Sequence, residues 1–176
     1  MVINHYFVNN PTVISVINLG IPLSYKEELI KTAYSFGDVQ NNGTNVQAIM
    51  SDWKVWTVTD VFNKFLDRIY KVLPQLDLNR SPKYKLTILD CWTAIYKKNH
   101  YTKPHDHRPN SHSFVYYLQS PNPSTPLVFD NCNHEILPQE DNLIVFPAHL
   151  THSVPKHQHD QDRISIAGNI VLESLK

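Results

Sequence analysis

Residues 84–98 read "YKLTILDCWTAIYKK" and open a run of short segments rich in Val, Ile, Tyr and Phe, each bounded by Pro, Asn or Asp. The segments that follow are "SHSFVYYLQS" (111–120), "TPLVFD" (125–130), "NHEILP" (133–138), "DNLIVFPA" (141–148) and "DRISIAGNIVLE" (162–173). Short strands at this spacing are typical of an antiparallel sandwich or barrel. We therefore predict a jelly roll that begins at residue 84.

The N-terminal part of the chain predicts a strand followed by a helix. The stretch "TVISVINLGIPLS" (12–24) is rich in β-branched residues and ends in a Gly and a Pro, which stop strands. Ser24 and Glu27 have the spacing of a capping box, in which two side chains satisfy backbone N–H groups at a helix start. We predict a helix over "YKEELIKTAYSF" (25–36) that ends near Gly37.

A second helix is predicted from near Thr59 to Pro74, because apolar residues recur there at helical spacing. These residues are Val61, Phe62, Phe65, Ile69, Val72 and Leu73. One apolar stripe of this kind indicates a helix that packs against a sheet. Before this helix, "DVQNNGTNVQA" (38–48) is polar and rich in turn-forming residues, which predicts an exposed loop.

Length and composition favour one globular domain. The chain has 176 residues, of which 41% are hydrophobic and 18% charged, so it can bury a sizeable core. We predict a mainly β protein with flanking helices (α+β) as a single domain over 1–176. Residues 1–83 would supply the N-terminal strand and supporting helices, and residues 84–176 a jelly-roll core backed by those helices.

Charge and cysteine content exclude several classes of partner. The formal net charge is zero, so nothing indicates a nucleic-acid surface. No apolar run is long enough to span a bilayer, and the N-terminus lacks the features of a signal peptide. Cys91 and Cys132 are expected to be free thiols in a reducing compartment, which predicts a cytoplasmic protein. The oligomeric state stays open.

The first candidate site is a pair of histidines in "KPHDHRPN" (103–110). If the chain is extended there, His105 and His107 point to the same side and Asp106 points away. Two imidazoles on one face suit a transition metal such as Fe(II), Zn or Mn. The alternative is a pair of surface histidines on a loop.

A third ligand is available from a distant part of the chain. His149 and His152 follow a buried-looking strand and a proline in "IVFPAHLTHSVPKH" (144–157). A jelly roll brings together the ends of strands that are far apart in sequence, so one of these histidines can complete a metal site.

The last predicted strand indicates a binding site for an anion. Alternation places Arg163, Ser165 and Ala167 on one face and Ile164 and Ile166 on the other. If the isoleucines pack against the core, the arginine faces the barrel interior. A buried arginine is costly unless it meets an anion, and its planar fork suits a carboxylate. The alternative is an ordinary arginine exposed at the start of a strand.

These motifs together resemble the Fe(II)- and 2-oxoglutarate-dependent oxygenases, most closely a small bacterial and phage branch related to the prolyl 4-hydroxylases. The motifs are the His-x-His at 105–107, "SFVYYLQ" (113–119), "DNLIVFPAHLTHSV" (141–154) and "RISIAGN" (163–169). The resemblance covers residues 88–171 and is carried by the order and spacing of the whole set. It implies a double-stranded β-helix, which agrees with the jelly roll predicted above.

The resemblance also implies the metal ligands. The first histidine of the family's pair matches His105, and the distal histidine, six positions after the Phe of Phe-Pro, matches His152 and leaves His149 outside the motif. The commonest triad has a carboxylate at its second position. Here that position is His107, which shares a face with His105, and Asp106 is the alternative if the backbone is bulged.

The resemblance implies a set of residues for the cosubstrate. Arg163 matches the arginine that binds the far carboxylate of 2-oxoglutarate, and Ser165 matches its hydroxyl helper. Tyr96 and Tyr101 are candidates for a further cosubstrate contact. Asn169 matches a motif asparagine whose role the resemblance does not specify. A departure from the family pattern is Phe114, which stands where a glycine is usual and is expected to reshape the pocket.

The implied activity is oxidation of an unidentified substrate, a peptide or a small molecule, usually hydroxylation with release of succinate and CO2. Fe(II) and 2-oxoglutarate are the implied cofactors, with ascorbate as reductant in vitro, and a phage-encoded protein would act in the host cytoplasm. Trp53 and Trp56 are expected to pad the core, with substrate binding as the alternative. Two other classes stay open: a cupin-like metal protein that does not use 2-oxoglutarate, and a non-enzymatic jelly-roll binding module.

Overall fold

The structure is a computed structural model that describes residues 3–9, 12–36, 43–76 and 84–175. Within these ranges two α-helices are present, α1 (Leu23–Ser35) and α2 (Asp60–Val72), together with two short 3-10 helices at Val55–Thr57 and Leu73–Gln75. The strands are β1 (Ile3–Asn9), β2 (Thr12–Asn18), β3 (Val46–Gln47), β4 (Ile49–Met50), β5 (Tyr84–Tyr96), β6 (Tyr101–His105), β7 (His112–Gln119), β8 (Leu127–Phe129), β9 (His134–Ile136), β10 (Asn142–Pro147), β11 (His152–Val154) and β12 (Arg163–Ser174).

These strands form two sheets. The major sheet has the order β1-β2-β10-β7-β12-β5-β4, and the minor sheet has the order β3-β6-β11-β8-β9. From β5 to β12 the chain passes repeatedly from one sheet to the other, and these neighbouring strands pair antiparallel. This arrangement is a jelly roll. The first four strands extend its sheets, with β1, β2 and β4 in the major sheet and β3 in the minor sheet.

Each of the six segments predicted as strands contains a strand, as expected of short runs rich in β-branched and aromatic residues. Two functional strands are less evident in the sequence. β6 and β11 are only five and three residues long, so their alternation is hard to recognise. The predicted loop over 38–48 is wrong in part, since Val46 is buried in β3, while residues 37–42 lie outside the described ranges.

The two helices differ in how well their starts are predicted. Thr59 caps α2, because its side-chain oxygen accepts a hydrogen bond from the Val61 N–H at 3.2 Å. The capping box predicted for α1 is wrong. Pro22 precedes that helix, no side chain caps it, and Ser24 lies inside the first turn, since proline fits the start of a helix without needing an N–H partner. Neither described helix has the length and apolar character needed to cross a membrane.

The core has two parts, one on each face of the major sheet. On the outer face, α2 places apolar side chains against the sheet, and the Phe65 ring lies 5.0 Å from the Tyr116 ring between centroids. Between the two sheets lies a second cluster that includes Trp92, Phe129 and Phe146. This inner cluster surrounds a cavity, and the polar side chains that line the cavity are the candidates for function. Cys91 and Cys132 are both free thiols, as predicted.

Phe114, which replaces the glycine usual in the family, lies on the outer face of the major sheet, in the cluster that contacts α2. Its partner across the β7–β12 pair is Gly168. A Cβ atom built on Gly168 would lie 2.6 Å from the Phe114 ring, which is too close for any side chain. The bulk of the phenylalanine is therefore accommodated by a glycine on the neighbouring strand.

Candidate metal centre and anion site

A cavity opens between the two sheets, and both sheets contribute polar side chains to it. The minor sheet contributes Thr102, His105 and His152, and the major sheet contributes Arg163 and Ser165. The rest of the lining is mostly apolar, and no Asp or Glu is among the described residues that line it. An occupant of the cavity thus meets imidazoles and a guanidinium, and no carboxylate from the described part of the chain.

Three histidines converge at this cavity. The ring centroids lie 4.8 Å apart for His105 and His107, 4.4 Å for His105 and His152, and 5.0 Å for His107 and His152. One nitrogen from each ring lies within 4.8 Å of the others. His105 and His152 are direct partners across the β6–β11 pair, so two strands far apart in sequence position them. His149 is exposed and lies outside the cluster.

Backbone carbonyl groups orient two of these rings. The Nδ1 of His105 lies 2.8 Å from the Lys103 carbonyl oxygen, and the Nδ1 of His152 lies 3.0 Å from the Leu150 carbonyl oxygen. A carbonyl can only accept, so each Nδ1 carries the proton and donates it. The Nε2 of each ring then presents a lone pair, which is how a histidine is held ready to bind a metal.

His107 reaches the cluster from the turn after β6. Its backbone N–H donates to the Ala148 carbonyl oxygen at 2.8 Å, which ties this turn to the segment between β10 and β11. Its ring centroid lies 6.0 Å from that of Trp92. The Phe146 ring, from the Phe-Pro motif, lies 4.8 Å from His152. Aromatic rings therefore pack around the triad and hold the imidazoles in place.

Burial keeps the imidazoles of the cluster neutral. Loss of solvent, with a smaller contribution from His105, lowers the pKa of His107 to about 4 and that of His152 to about 3. The pKa of His105 is also lowered, mainly by burial. A neutral imidazole has a free lone pair at neutral pH. These shifts are what a metal ligand requires, because no proton has to be displaced.

Asp106, the alternative second ligand, is engaged elsewhere. Its carboxylate accepts hydrogen bonds from the Arg108 guanidinium at 3.0 and 2.6 Å and from the Arg108 backbone N–H at 3.1 Å. The hydrogen bonds from Arg108 lower the pKa of Asp106. His107, and not Asp106, therefore belongs to the cluster of three histidines.

Arg163 is the second notable group in the cavity, and it is only 1% exposed. One terminal nitrogen donates to the Thr125 carbonyl oxygen at 2.8 Å, and the other lies 3.4 Å from the Tyr117 hydroxyl. The guanidinium carbon lies 5.2 Å from the Tyr96 ring centroid and 5.0 Å from that of Tyr117. These aromatic faces attract the cation.

The charge of Arg163 is nevertheless incompletely compensated. No carboxylate forms an ion pair with it within the described ranges, and its buried Nε has no hydrogen-bond partner there. A buried guanidinium keeps its proton, so the charge must be met by another group. Since the side chain lines the same cavity as the histidines, an anion bound there would supply the missing partner.

The alternation predicted for β12 is confirmed. Arg163, Ser165 and Ala167 line the cavity, whereas Ile164 and Ile166 are completely buried in the cluster that faces the helices. The apolar face fixes the strand against the outer core. The opposite face is therefore free to carry the polar side chains of the site.

The two candidate tyrosines occupy different positions. Tyr96 lines the cavity, and its hydroxyl lies 2.7 Å from that of Thr102. Burial raises the pKa of Tyr96, which the charge of Arg163 partly opposes, so the phenol stays protonated at neutral pH. Tyr101 is not among the residues that line the cavity. Its neighbour Thr102 does line it, and alternation turns Tyr101 to the other face of β6.

Asn169 is held by protein groups rather than lying open to the cavity. Its backbone and side-chain N–H groups donate to the two Asp90 oxygens at 2.9 and 3.1 Å, and its carbonyl oxygen accepts from the Ser113 hydroxyl at 2.8 Å. Burial raises the pKa of Asp90, while the hydrogen bonds from Asn169 oppose that rise.

Sequence reasoning missed Tyr117, Thr125 and Trp92 as parts of the site. Tyr116 and Tyr117 are adjacent in β7, and the sequence does not show which of the two faces the cavity. Thr125 contributes its backbone carbonyl, which any residue could supply. Trp92 lines the cavity. Trp53 packs edge-on against Trp92 with 4.6 Å between centroids and remains 40% exposed. Trp56 packs against the outer core.

Comparison with solved structures identifies the fold. One similar structure is the viral collagen prolyl hydroxylase vCPH from Paramecium Bursaria Chlorella virus-1, in complex with 2-oxoglutarate. It is 16% identical to this chain, with a TM-score of 0.69, and the match covers 89% of this chain and 94% of vCPH. HygX from Streptomyces hygroscopicus, solved with nickel and 2-oxoglutarate and also with hygromycin B, is 11% identical with a TM-score of 0.71, covering 94% and 85% of the two chains.

A third similar structure is an oxidoreductase of the 2OG-Fe(II) oxygenase family from Burkholderia pseudomallei. It is 14% identical over 94% of this chain and 86% of its own, with a TM-score of 0.67. No protein-family model matches the sequence, and no curated protein is significantly similar to it. The chain therefore has the fold of the Fe(II)- and 2-oxoglutarate-dependent oxygenases.

Proposed function

We propose that this protein is an Fe(II)- and 2-oxoglutarate-dependent oxygenase. In this proposal His105, His107 and His152 hold the metal and Arg163 binds the far carboxylate of 2-oxoglutarate. The observation that carries the proposal is a buried arginine, with no carboxylate partner among the described residues, in the same cavity as three neutral imidazoles, two of them oriented by backbone carbonyls. A metal site alone does not account for the buried arginine. An anion that contacts both the metal and Arg163 accounts for the three histidines and the arginine together.

The residues present fit both groups. Three imidazole nitrogens on one side of a metal leave positions open on the other side, as in non-haem iron oxygenases. Because all three ligands are neutral, the metal charge and the Arg163 charge favour a doubly negative occupant. When Fe(II) and 2-oxoglutarate are bound, they supply the oxidising chemistry, with release of succinate and CO2.

The protein's own contribution is binding, orientation and exclusion of water. The Thr125 carbonyl and the Tyr117 hydroxyl fix the guanidinium, and Tyr96 packs on its face. The orphaned Nε leaves a donor for a carboxylate. We propose Ser165, also on the cavity face of β12, as a second donor to that carboxylate. Tyr96 is proposed to contact the cosubstrate, whereas Tyr101 and Asn169 are not placed to do so.

The alternatives are less well supported. A cupin-like protein without 2-oxoglutarate has no need of a buried arginine beside its metal, and a binding module has no need of three convergent imidazoles. We further propose that α1 and α2 form a supporting layer on the jelly roll. We also propose that the protein hydroxylates a peptide or a small molecule, and that it does so in the cytoplasm. Both kinds of substrate are consistent with the similar structures, which include a collagen prolyl hydroxylase and a complex with hygromycin B.

Anaerobic titration with Fe(II) and then 2-oxoglutarate tests the proposal. A visible charge-transfer band develops only if metal and cosubstrate bind at one site. We expect the band in the wild type. His152→Ala should lose both the band and the bound metal. Arg163→Met should lose the band but keep the metal. His149→Ala is the matched control and should behave as wild type. A wild-type protein that binds iron without developing the band would contradict the proposal.

A further inference from the structure

We propose that the Ser113 hydroxyl is a hydrogen-bond acceptor that selects a substrate carrying an N–H or O–H donor beside its reactive carbon. This inference rests on the proposed function, because it assigns Ser113 to the substrate side of that site. Ser113 is 1% exposed, and it lines the cavity that contains the three histidines. Its role follows from a chain of hydrogen bonds through Asn169 to Asp90.

The chain fixes the direction of each hydrogen bond. The Asp90 carboxylate accepts from the Asn169 backbone N–H at 2.9 Å and from its side-chain NH2 at 3.1 Å. A carboxylate can only accept, so the NH2 group of Asn169 must face Asp90. The carbonyl oxygen of Asn169 then faces Ser113, 2.8 Å from its hydroxyl oxygen.

This geometry commits the single proton of Ser113. The Asn169 carbonyl oxygen cannot donate, so the Ser113 hydroxyl donates to it, and only lone pairs of the Ser113 oxygen remain. A hydroxyl usually adapts to either a donor or an acceptor by rotating. Here a buried amide, 3% exposed, removes that freedom, and a ligand group without a donor would leave the lone pairs of Ser113 unsatisfied.

The position of Ser113 assigns it to the substrate rather than to the cosubstrate. Asn169 lies six residues after Arg163 on β12, which is about 20 Å along a strand. A five-carbon dicarboxylate held at Arg163 does not extend that far. Ser113 is the cross-strand partner of Phe146, whose ring packs on His152. Ser113 therefore lies close to the metal end of the cavity, away from the cosubstrate anchor.

Two five-membered rings of similar size test the inference. Pyrrole offers an N–H donor and no acceptor, and tetrahydrofuran offers an oxygen acceptor and no donor. Each is titrated into protein loaded with Co²⁺ and 2-oxoglutarate under anaerobic conditions. Paramagnetic relaxation of the probe protons by the cobalt reports binding near the metal. We expect stronger relaxation enhancement for pyrrole than for tetrahydrofuran in the wild type.

Two variants make the test specific. Ser113→Ala should remove the preference, so that the two probes give similar enhancement. Asp90→Asn should reverse it. An amide at position 90 can still accept from the Asn169 backbone N–H, but its NH2 then donates to a flipped Asn169. The flipped Asn169 donates to Ser113, whose proton is released towards the cavity, so tetrahydrofuran is favoured. Ser113→Thr keeps the hydroxyl and should keep the wild-type order.

The outcomes separate this inference from the proposed function. The proposed function fails if no cosubstrate complex forms. The two probes are then titrated into protein loaded with Co²⁺ but without 2-oxoglutarate, and pyrrole is again expected to give the stronger relaxation enhancement. The inference is overturned if pyrrole shows no advantage in the wild type, or if Ser113→Ala leaves its advantage intact. An Asp90→Asn protein that is folded and still prefers pyrrole overturns it as well.

Discussion

Two arginines of this protein stand in opposite situations. Arg108 lies at the surface, with its side chain 70% exposed, and forms a two-pronged ion pair with Asp106 at 2.6 and 3.0 Å. Arg163 is 1% exposed, and its polar and aromatic partners among the described residues are a carbonyl, a hydroxyl and two aromatic faces. Arg108, which water could solvate, has a carboxylate partner, while buried Arg163 has none in the part of the chain that the structure describes.

The difference distinguishes a charge that has a partner within the fold from a charge that is available to bind a ligand. A surface ion pair adds little to folding stability, because water screens it and would solvate each partner alone. A buried guanidinium without an anion is unfavourable unless the bound state repays the cost. The missing carboxylate of Arg163 is therefore a feature of the binding site, and the experiments below test this distinction from the largest expected effect to the smallest.

The largest effect is expected for Arg163→Met on cosubstrate binding. This change removes the fork while keeping an apolar side chain of similar length. We expect the dissociation constant for 2-oxoglutarate to rise about 100-fold, equivalent to about 3 kcal/mol for lost charge-assisted hydrogen bonds. The affinity for the metal should stay within about twofold of wild type. Isothermal titration under anaerobic conditions measures both constants.

Arg163→Lys is the matched control for that experiment, because it keeps the charge and loses the planar fork. An intermediate loss of affinity is expected. If Arg163→Met binds 2-oxoglutarate as tightly as wild type, Arg163 is a structural residue and the contrast with Arg108 loses its functional meaning.

The next effect concerns acid and compares the buried arginine with buried histidines. A guanidinium group does not lose its proton in proteins, whereas burial lowers the pKa of His112 to about 4 and that of His152 to about 3. The unfolded chain takes up protons near pH 6.5, before the folded protein does. Stability of the metal-free protein is thus complete above about pH 6.5 and is lost as the pH falls below it, by about 2 kcal/mol per histidine at pH 5.

Urea unfolding of the metal-free protein between about pH 7.5 and pH 5 measures this loss. His112→Gln should reduce the acid sensitivity by about one histidine's share without removing a member of the triad. A free energy of unfolding that stays constant across this pH range would show that these imidazoles are not held neutral by the fold.

A smaller effect is expected for Arg163→Met on the stability of the ligand-free protein. The change loses the hydrogen bond to Thr125 and the contacts with Tyr96 and Tyr117, but it also removes an uncompensated buried charge. We expect the two contributions to offset each other, so that the free energy of unfolding changes by about 1 kcal/mol or less. A loss above about 3 kcal/mol would indicate that the fold itself satisfies Arg163.

The sequence predicts much of this arrangement because alternation along a strand is a local property. The burial of Ile164 and Ile166 identifies the face that Arg163 occupies, and the spacing of His105 and His107 places both on one side. Contacts across the barrel depend instead on register, which no local pattern gives. The stacking of Tyr117 on Arg163 is one such contact.

Two other failures have the same physical origin. The choice between Tyr96 and Tyr101 as lining residues depends on which face of a five-residue strand turns inward, and Thr102 turns inward instead. The segment around Val46 is polar enough to predict a loop, yet it gains backbone partners from β6 and becomes an edge strand. Pairing partners that are distant in sequence decide both cases.

The smallest effect is expected at the surface pair, and it also tests the choice of ligand. Arg108→Ala removes the guanidinium partner of Asp106 but keeps the backbone N–H donor. It touches neither the cavity nor Arg163, so the affinity for 2-oxoglutarate and the urea midpoint should stay at wild-type values. Asp106→Asn should keep the metal, because the amide oxygen can still accept from the Arg108 backbone N–H and His107 remains in the triad. Metal content measured after gel filtration distinguishes the two ligand assignments. If Asp106→Asn loses iron while His107→Ala retains it, then the carboxylate is the ligand, and Arg108 restrains a catalytic group rather than a surface turn.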